Sequence, residues 1–211
     1  MSPADDVPGG GKPLPLVVVY ADESCLGNGR EGENPGGAGV LVEILQRGKL
    51  VRRDLWVSEP ATTNNRMALR SVIECFSALG RKGKSLQVVF TTDSRYIVDG
   101  MKEWVHSWAK RGWRRRTGEL ENRELWQTAV RAVGTQWVQW CWVRGHAGHP
   151  QNEYANDLAM RAAQLQDNSG GLVESGFDAW LERHAAAGKP LTPEPFPKPA
   201  AFRAAAQLPR V

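Results

Sequence analysis

Cations and tryptophans alternate along one stretch of the chain, between positions 102 and 116. Glu103 is the single acid in this stretch, against six cations: Lys102, Lys110, Arg111, Arg114, Arg115 and Arg116. Trp104, Trp108 and Trp113 stand among them. Lys and Arg neutralise phosphates, and flat aromatic rings stack on sugars or bases, so the pattern indicates a nucleic-acid-binding surface.

The same tryptophans have a second interpretation. Trp104 and Trp108 are four residues apart, which places both rings on one face of a helix and is typical of a buried stripe. A run of charge is also often no more than a solvated face. The combination of cations with aromatics favours binding, and both interpretations stay open at this point.

Two histidines, His146 and His149, stand in a glycine-containing segment with the spacing His-x-x-His. Imidazole binds metals, and it also transfers protons near neutral pH. The spacing by itself is a weak indication of a metal pair, and ordinary loop histidines are the alternative.

The composition limits the class of protein. The chain has 211 residues, with 27 Lys and Arg against 23 Asp and Glu, and 41% of it is apolar, which suits one domain with an appendage or at most two small domains. No apolar run approaches the roughly 18 residues that span a bilayer. Three widely separated cysteines, Cys25, Cys75 and Cys141, predict reduced and mostly buried thiols. We therefore expect a soluble, cytoplasmic protein with no membrane partner.

Five segments have the residue pattern of strands. The segment 16–21 is continuously apolar and rich in valine, which is typical of a strand buried on both faces. Two alternating segments, 38–45 and 49–57, stand on either side of a short turn. The remaining strands are predicted at 86–92 and 136–143.

Helices are predicted between and after these strands. The first begins at Asn64, a residue type that caps helices, and ends near Gly80. The segment 94–110 is predicted as one or two helices broken at Gly100. Three more are predicted at 122–133, 150–166 and 177–187.

This order of elements predicts an α/β fold with a mixed five-stranded sheet flanked by helices. The first three strands are antiparallel and the later ones are parallel. The domain occupies residues 16–166. We expect residues 1–15 to form a disordered N-terminal segment, and residues 167–211 to form a C-terminal extension, rich in Pro and Ala, that is mostly flexible.

Four segments together are far more specific than any one of them. They are 22–28 (DESCLGN), 62–67 (TTNNRM), 92–96 (TDSRY) and 145–153 (GHAGHPQNE). Their order and spacing resemble type 1 ribonuclease H, the enzyme that cuts the RNA strand of an RNA–DNA hybrid. The segment 104–113 is similar to the basic protrusion of its bacterial members. The resemblance covers about residues 16–166 and implies a ribonuclease H-like fold.

The resemblance implies hydrolysis of a phosphodiester by two Mg²⁺ ions held by four carboxylates. Mg²⁺ prefers hard oxygen ligands, and Mn²⁺ is a substitute that binds mixed sites more tightly. Asp22 and Asp93 stand at the positions of the first and third carboxylates, at the ends of the first and fourth strands. We expect both to be catalytic and to hold the metals.

The family's other two carboxylates are missing. Ala68 follows the segment 62–67, where the resemblance implies a catalytic Glu. Asn156, ten residues after His146, stands at the fourth position, and its carbonyl oxygen can still contact a metal. Asp157 comes next, but neighbours on a helix point about 100° apart, so it needs special geometry to compensate.

Glu23 is the first candidate to replace the missing acid, since it follows Asp22 where the family commonly has Gly. Successive strand residues face opposite sides, so Glu23 needs a bulge or the end of the strand to reach the metals. Glu31 and Glu33, in a long loop, are further candidates. Glu74 is a poor one, because it lies on another face of its helix than position 68.

The resemblance also implies how a hybrid is bound. His146 is expected to be catalytic, by transferring protons or helping the product to leave. Recognition of a hybrid depends on groove shape and 2′-hydroxyls rather than on base sequence. The residues expected to contact the nucleic acid are Cys25, Asn28, Thr63, Asn64, Asn65, Arg95, Trp104, Trp108, Lys110, Arg111 and Trp113.

Hypotheses from different classes follow. The first is a Mg²⁺- or Mn²⁺-dependent endonuclease in which Asp22 and Asp93 hold the metals and Asn156 assists. The second is a catalytically silent protein that binds the hybrid or duplex without cutting it. A third, weaker hypothesis is a scaffold whose C-terminal extension recruits a protein partner. We expect a monomer.

Overall fold

The structure is a computed structural model that describes residues 14–27, 34–80 and 83–211. The predicted site residues Asn28, Glu31 and Glu33 lie outside the described residues, as does most of the N-terminal segment expected to be disordered. Among the helices of the described ranges, none is long and apolar enough to cross a membrane.

The described residues form six strands, all in one mixed sheet. The strands are β1 (Leu16–Cys25), β2 (Gly36–Gln46), β3 (Lys49–Glu59), β4 (Gln87–Thr92), β5 (Trp137–Trp142) and β6 (Val173–Glu174). Their order across the sheet is β5-β4-β1-β2-β3-β6. β1, β2 and β3 pair antiparallel, and β4 and β5 continue the sheet in parallel from β1. The predicted mixed sheet is confirmed.

The prediction of five strands missed β6. This strand lies in the C-terminal extension and pairs antiparallel with β3, Arg53 with Glu174 and Asp54 with Val173. A strand of two residues is too short to show alternation in the sequence, because its existence depends on the edge that β3 offers.

The helices flank this sheet. They are α1 (Asn64–Gly80), α2 (Arg95–Asp99), α3 (Val105–Ala109), α4 (Arg123–Val133), α5 (Pro150–Leu165) and α6 (Phe177–Ala186). α1 has the predicted bounds, but its first turn is capped by Thr63, whose Oγ1 accepts the N–H of Arg66 at 3.4 Å. The predicted cap was Asn64, one residue later.

The helix predicted to break at Gly100 continues through a π-helical turn, Gly100–Trp104, which joins α2 to α3. A side chain at Gly100 would collide with the ring of Trp126 in α4. The glycine therefore makes room for a neighbouring helix and does not end its own.

The side chains of β1 alternate between two apolar cores. Val17, Val19 and Ala21 belong to one core together with α1 and α4, which we call the α1 core. Val18 and Tyr20 belong to the other core together with α5 and α6, which we call the α5 core. Burial on both faces explains why this segment is continuously apolar, and the prediction of a buried strand is confirmed.

α5 lies close against the sheet because two glycines of β2 have no side chain. A Cβ on Gly37 would collide with Ala159 of α5, and a Cβ on Gly39 would collide with Ala155. Gly39 is paired with Asp22 of β1. This close packing therefore sets the distance between α5 and the carboxyl end of β1.

The C-terminal extension is joined to β3 and α5 through a buried acid. Asp54 of β3 is 3% exposed. It accepts hydrogen bonds from the hydroxyl of Tyr154 at 2.5 Å and from the N–H of Gly176 at 3.0 Å. α6 then packs in the α5 core through Phe177 and Trp180.

The far end of the extension reaches β5, the strand at the opposite edge of the sheet from β6. The N–H of Arg203 donates to Oε1 of Gln139 at 2.7 Å, and the N–H of Ala205 donates to the carbonyl of Val138 at 2.8 Å. The segment expected to be mostly flexible thus has contacts with the domain at both ends, from β3 across the α5 core to β5.

Candidate active site

The carboxyl end of β1 carries an aspartate that is almost wholly buried. Asp22 is 6% exposed. Its Oδ1 accepts the backbone N–H of Glu23 at 2.7 Å, and its Oδ2 accepts Nδ2 of Asn152 at 3.1 Å. These two donors fix the carboxylate, as the outer partners of a metal ligand do.

Three carboxylates meet at this point. β1 and β4 are parallel and paired as far as Ala21 and Thr92, so Asp93 follows at the same edge of the sheet as Asp22. Oxygens of Asp22, Glu23 and Asp93 all lie within 4.8 Å of one another. We call these three residues the carboxylate cluster.

Glu23 reaches the cluster without a bulge. The pairing of β1 with β2 continues regularly through Glu23 and Ala38. The pairing of β1 with β4 stops at Ala21, two residues earlier. Glu23 therefore stands at the end of the strand on the β4 side, which is one of the two routes considered from the sequence.

The alternation of β1 directs Glu23 to the side of the sheet where the acid is missing. Glu23 shares a face with Ala21, which packs in the α1 core. Ala68 of α1 lies in that same core, is 1% exposed and offers no ligand atom. The alternation of strand residues between the two faces of the sheet counted against Glu23 in the sequence. In the structure, the same alternation brings Glu23 to the α1 side of the site.

Crowding of these acids raises the pKa of each. Burial, and next the Asp93 carboxylate, raises the pKa of Asp22 to about 7, although hydrogen bonds from Glu23 and Asn152 lower it. Burial raises the pKa of Glu23 well above its ordinary value, with further rises from Asp22 and Asp93. Burial raises the pKa of Asp93, while a backbone hydrogen bond and then His146 lower it. Negative charge held this closely is stabilised by a cation.

α5 supplies an amide to the cluster that the sequence did not single out. Asn152 is 1% exposed and donates to Asp22. Asn156, the predicted fourth position, lies one turn later and is half-buried, with Nδ2 3.5 Å from Sδ of Met160. Asn152 is part of the segment 145–153, and its spacing of four from Asn156 was the available signal that both share a helix face.

Asp157 faces away from the site. Its Oδ2 accepts the indole N–H of Trp180 at 2.7 Å, and Trp180 belongs to α6. The structure therefore gives Asp157 a partner in the C-terminal extension and leaves it outside the carboxylate cluster.

The loop between β5 and α5 lies over Asp93. A side chain at Gly145 would collide with the Asp93 carboxylate, so the glycine permits the close approach. His146 follows it, exposed and with a left-handed φ of 52°. Because Gly145 lies against the Asp93 carboxylate, the backbone of His146 lies beside the cluster.

His149 has a structural position at the start of α5. It is the N-cap residue, and its Nδ1 accepts the N–H of Asn152 at 3.3 Å. The two histidines are therefore not a metal pair, since one lies in an exposed loop and the other caps a helix.

The residues expected to bind the hybrid's backbone lie at the carboxyl end of β1 and the start of α1. Thr63 and Asn65 are exposed, and Asn64 is half-buried. The thiol of Cys25 lies 3.4 Å from the carbonyl of Thr62, which ties the end of β1 to the turn before α1.

Arg95 lies beside the cluster with an aromatic partner. Its guanidinium is 3.9 Å from the centre of the Trp142 ring, and the indole N–H of Trp142 donates to the carbonyl of Asp93 at 2.9 Å. Trp142 is 40% exposed, so it is a further surface for stacking that sequence reasoning missed. An aromatic at the carboxyl end of a strand next to the site was the available signal.

The basic segment, residues 102–116, contains three tryptophans, and they divide between the two interpretations, a buried stripe and a binding surface. Trp108 and Trp113 are 8% and 7% exposed and belong to the α1 core. This corrects the prediction that they contact nucleic acid, because buried rings present no face to a ligand. Trp104 is half-buried against Trp108 and Tyr96, and it stays a predicted contact.

The cations of this segment remain at the surface. Lys110 and Arg111 are exposed at the end of α3. A cavity of about 860 Å³ opens between the segment and α4, and its lining includes two glutamates, Glu119 and Glu124, and four arginines, Arg66, Arg114, Arg115 and Arg123. The excess of arginines suits the phosphates of a nucleic-acid backbone.

The cluster has the donors that a hard divalent cation requires, namely several carboxylate oxygens at one point. The ion pairs among the described residues do not include Asp22, Glu23 or Asp93. The negative charge of the cluster is therefore not matched by a Lys or Arg of that part of the chain, and a divalent cation fits.

Comparison with known proteins identifies the family. The model of the RNase H family matches residues 15–164. The chain belongs to the ribonuclease H family. Ribonuclease H of Pseudomonas entomophila (strain L48) is 44% identical over 146 residues, which cover 69% of this chain and 91% of that protein. Ribonuclease H of Neisseria gonorrhoeae (strain ATCC 700825 / FA 1090) is 42% identical over 148 residues, 70% of this chain and 94% of that protein. The predicted family and enzyme class are confirmed.

Solved structures confirm the ribonuclease H fold. The crystal structure of LC9-RNase H1, a type 1 RNase H with the type 2 active-site motif, has a TM-score of 0.89 and 65% identity, and the match covers 96% of this chain and 97% of that chain. The solution structure of the PFV RNase H domain has a TM-score of 0.60 at 16% identity, covering 72% of this chain and 97% of that one, which shows the fold alone.

Proposed function

We propose that this chain is a divalent-metal-dependent endonuclease that hydrolyses the RNA strand of RNA–DNA hybrids. Membership of the ribonuclease H family supports the reaction, and the carboxylate cluster supports the metal dependence. The observation that carries the proposal is the position of Glu23 beside Asp22 and Asp93, since it gives a third carboxylate to a site in which Ala68 offers none.

The cluster is proposed to hold two Mg²⁺ ions, with Mn²⁺ as a substitute. Held by Asp22, Glu23 and Asp93, such ions would supply Lewis acidity for activation of the attacking water and for stabilisation of the leaving oxygen. Asn152 and the N–H of Glu23 orient the Asp22 carboxylate from two directions. Asn156, one turn from Asn152 on α5, is proposed to provide an amide oxygen at the fourth position.

His146 is proposed to transfer protons at this site. The preceding Gly145 approaches the Asp93 carboxylate, and the exposure of His146 allows the imidazole to exchange protons with solvent. An imidazole can both take and return a proton, which suits this role.

The hybrid is proposed to lie across the carboxyl end of β1 and along the basic segment. Thr63 and Asn65 are exposed at the start of α1, and Trp104, Lys110 and Arg111 lie in the basic segment. We further propose a monomer, because one chain holds the whole cluster and the basic segment, and a cytoplasmic location, which three free thiols suit.

The catalytically silent hypothesis depended on the loss of two carboxylates. With Glu23 in the cluster the loss is a single negative charge, at Asn156. LC9-RNase H1, which is 65% identical to this chain, is a type 1 RNase H with the type 2 active-site motif. Both points favour an active enzyme.

The test is cleavage of an end-labelled RNA–DNA hybrid in Mg²⁺ and in Mn²⁺, by the unaltered chain, by Asp93→Asn and by Glu23→Gln. We expect the unaltered chain to cleave, and each variant to lose at least about 100-fold in kcat, the scale on which enzymes respond to removal of one group that stabilises the transition state. Each change replaces a charged ligand oxygen with an amide of the same size.

Glu74→Gln is the matched control. It makes the same change from a carboxylate to an amide, but on an acid of α1 that pairs with Arg70. It should leave kcat unchanged. Full activity of Glu23→Gln would remove Glu23 from the metal site. Hybrid binding without cleavage by the unaltered chain would establish the catalytically silent protein instead.

A further inference from the structure

The C-terminal extension holds the first turn of α5 through one buried side chain. Gln151 is 0% exposed. Its Nε2 donates to the carbonyl of Glu194 at 2.9 Å, and its Oε1 accepts the N–H of Glu194 at 3.2 Å. A side-chain amide thus pairs with both backbone groups of a single residue of the extension.

The Glu194 side chain makes a second contact with the same turn. Its Oε1 lies 3.4 Å from Nε2 of His149. The other ring nitrogen of His149 accepts the N–H of Asn152 as the N-cap of α5. The extension therefore contacts the cap of the helix and its first turn together.

These contacts lie next to the residue of α5 that donates a hydrogen bond to the carboxylate cluster. Asn152 follows Gln151, and its Nδ2 donates to Oδ2 of Asp22 at 3.1 Å and lies 3.4 Å from the carbonyl of Ala21. One turn of helix therefore links Glu194 of the extension to Asp22 of the cluster.

The backbone around Glu194 is stiff and anchored. Pro195 restricts Glu194, which precedes it, to extended conformations, and Pro193 has a fixed φ of its own. Leu191 and Phe196 pack against the α5 core on both sides of this short run. Glu194 is therefore held in place by contacts other than its own hydrogen bonds to Gln151.

We propose that Gln151 and Glu194 are positioning residues, through which the C-terminal extension holds the first turn of α5 so that Asn152 and Asn156 stay aligned with Asp22. This inference rests on the proposed function, because it gives the extension a part in the metal site. Partners that orient metal ligands typically change metal affinity or activity by about 10- to 100-fold when they are altered.

The test is Gln151→Met in the full chain, which keeps the length of the side chain and removes both hydrogen bonds to Glu194. We expect kcat to fall roughly 10-fold and the Kd for Mn²⁺, measured by titration calorimetry, to rise roughly 10-fold. KM for the hybrid should stay within about 2-fold, because the phosphate-binding cations lie on the protrusion and groove, away from this turn. A merely structural role would not separate kcat from KM in this way.

The matched control is Gln139→Met. Gln139 is also a glutamine whose amide oxygen accepts an N–H of the extension, from Arg203, but it lies on β5 and holds the far end of the extension instead of α5. Its kcat and its Kd for Mn²⁺ should remain within about 2-fold of the unaltered chain, the usual effect of a change away from buried networks.

A second variant leaves the buried core untouched. Glu194→Pro removes the N–H that Gln151 accepts and the carboxylate near His149, and the following proline, Pro195, already favours a compatible extended backbone at this position. We expect the same direction of change in kcat and in the Kd for Mn²⁺. This variant decides the outcome if Gln151→Met does not fold.

The proposal is overturned if both folded variants keep the kcat and the Kd for Mn²⁺ of the unaltered chain, or if Gln139→Met loses as much as Gln151→Met. Absence of cleavage by the unaltered chain would be a failure of the proposed function alone. In that case the Kd for Mn²⁺ decides the positioning role, which a 10-fold rise supports and an unchanged value overturns.

Discussion

At the scale of single residues, the site depends on which face of β1 each acid takes. Asp22 faces α5, where Asn152 donates to it, and Glu23 faces the α1 core. The third carboxylate of the cluster thus comes from the strand, on the side of the sheet where the helix has Ala68. Glu23 and Ala68 are 45 positions apart in the sequence.

This arrangement predicts that a glutamate at position 68 competes with Glu23. Ala68→Glu should reduce kcat and lower the free energy of unfolding by at least about 2 kcal/mol, because it buries another negative charge beside the cluster. Ala68→Glu combined with Glu23→Gly should recover activity to within roughly 10-fold of the unaltered chain, since the count of carboxylates returns to three. Hybrid cleavage and urea unfolding measure both quantities, and a single Ala68→Glu variant more active than the unaltered chain would contradict the competition between the two acids.

At the scale of elements, the contact between β2 and α5 brings the amides to the carboxylates. Gly37 and Gly39 let the backbone of α5 approach the sheet, and Gly39 is paired with Asp22. The extension contacts the first turn of the same helix through Gln151. The position of Asn152 therefore depends on both contacts.

Gly39→Ala should disturb both stability and catalysis. Its new methyl group would collide with the backbone of α5, which typically costs about 1–3 kcal/mol in a packed core, and it would move Asn152 relative to Asp22. Gly80→Ala is the control, because nothing lies within 4 Å of a Cβ built there. The free energy of unfolding, measured in urea, and kcat should both fall for Gly39→Ala only, and equal effects of the two changes would show that the close approach is unimportant.

At the scale of the whole molecule, opposite charges are separated. The chain has a formal net charge of +4, with cations concentrated on the segment 102–116 and three acids gathered at one edge of the sheet. Cations of this kind attract a nucleic-acid backbone, and under the proposed function the acids would hold the metal ions that act on it. The acids repel one another in the absence of metal, so the site lowers the stability of the fold it belongs to.

Stability without metal should therefore fall as pH rises. Unfolded carboxyls titrate at about pH 4, whereas burial and Asp93 raise the pKa of Asp22 to about 7 in the fold. The stabilising protonation is complete below the unfolded pKa and is lost as pH rises through the folded pKa. In EDTA, the Tm should drop between about pH 4 and about pH 7, and Mn²⁺ should restore it at the upper end.

Asp93→Asn serves as the control for this prediction. It removes one of the repelling charges, so its Tm in EDTA should be higher than that of the unaltered chain at the upper end of the range and should vary less with pH. An identical pH profile for the two proteins would assign the pH dependence to other buried acids, such as Asp54, whose pKa is also raised by burial.

The sequence by itself determined the order and type of most elements and the positions of Asp22 and Asp93. Strands and helices are set by the period of apolar residues, a local property that one stretch of chain carries. The valine-rich run 16–21 indicated burial on both faces, and parallel neighbours bring their carboxyl ends to one edge. The family motifs added the chemistry expected at that edge.

The tertiary structure alone decided which further residues join them. Glu23 enters the cluster because the pairing with β4 ends at Ala21, and Asn152 enters it because glycines of β2 admit α5. Trp108 is buried by the elements around it, and Glu194 meets Gln151 across 43 positions of sequence. Each of these outcomes depends on distances between segments that are far apart along the chain. The local pattern of apolar and polar residues does not determine such distances.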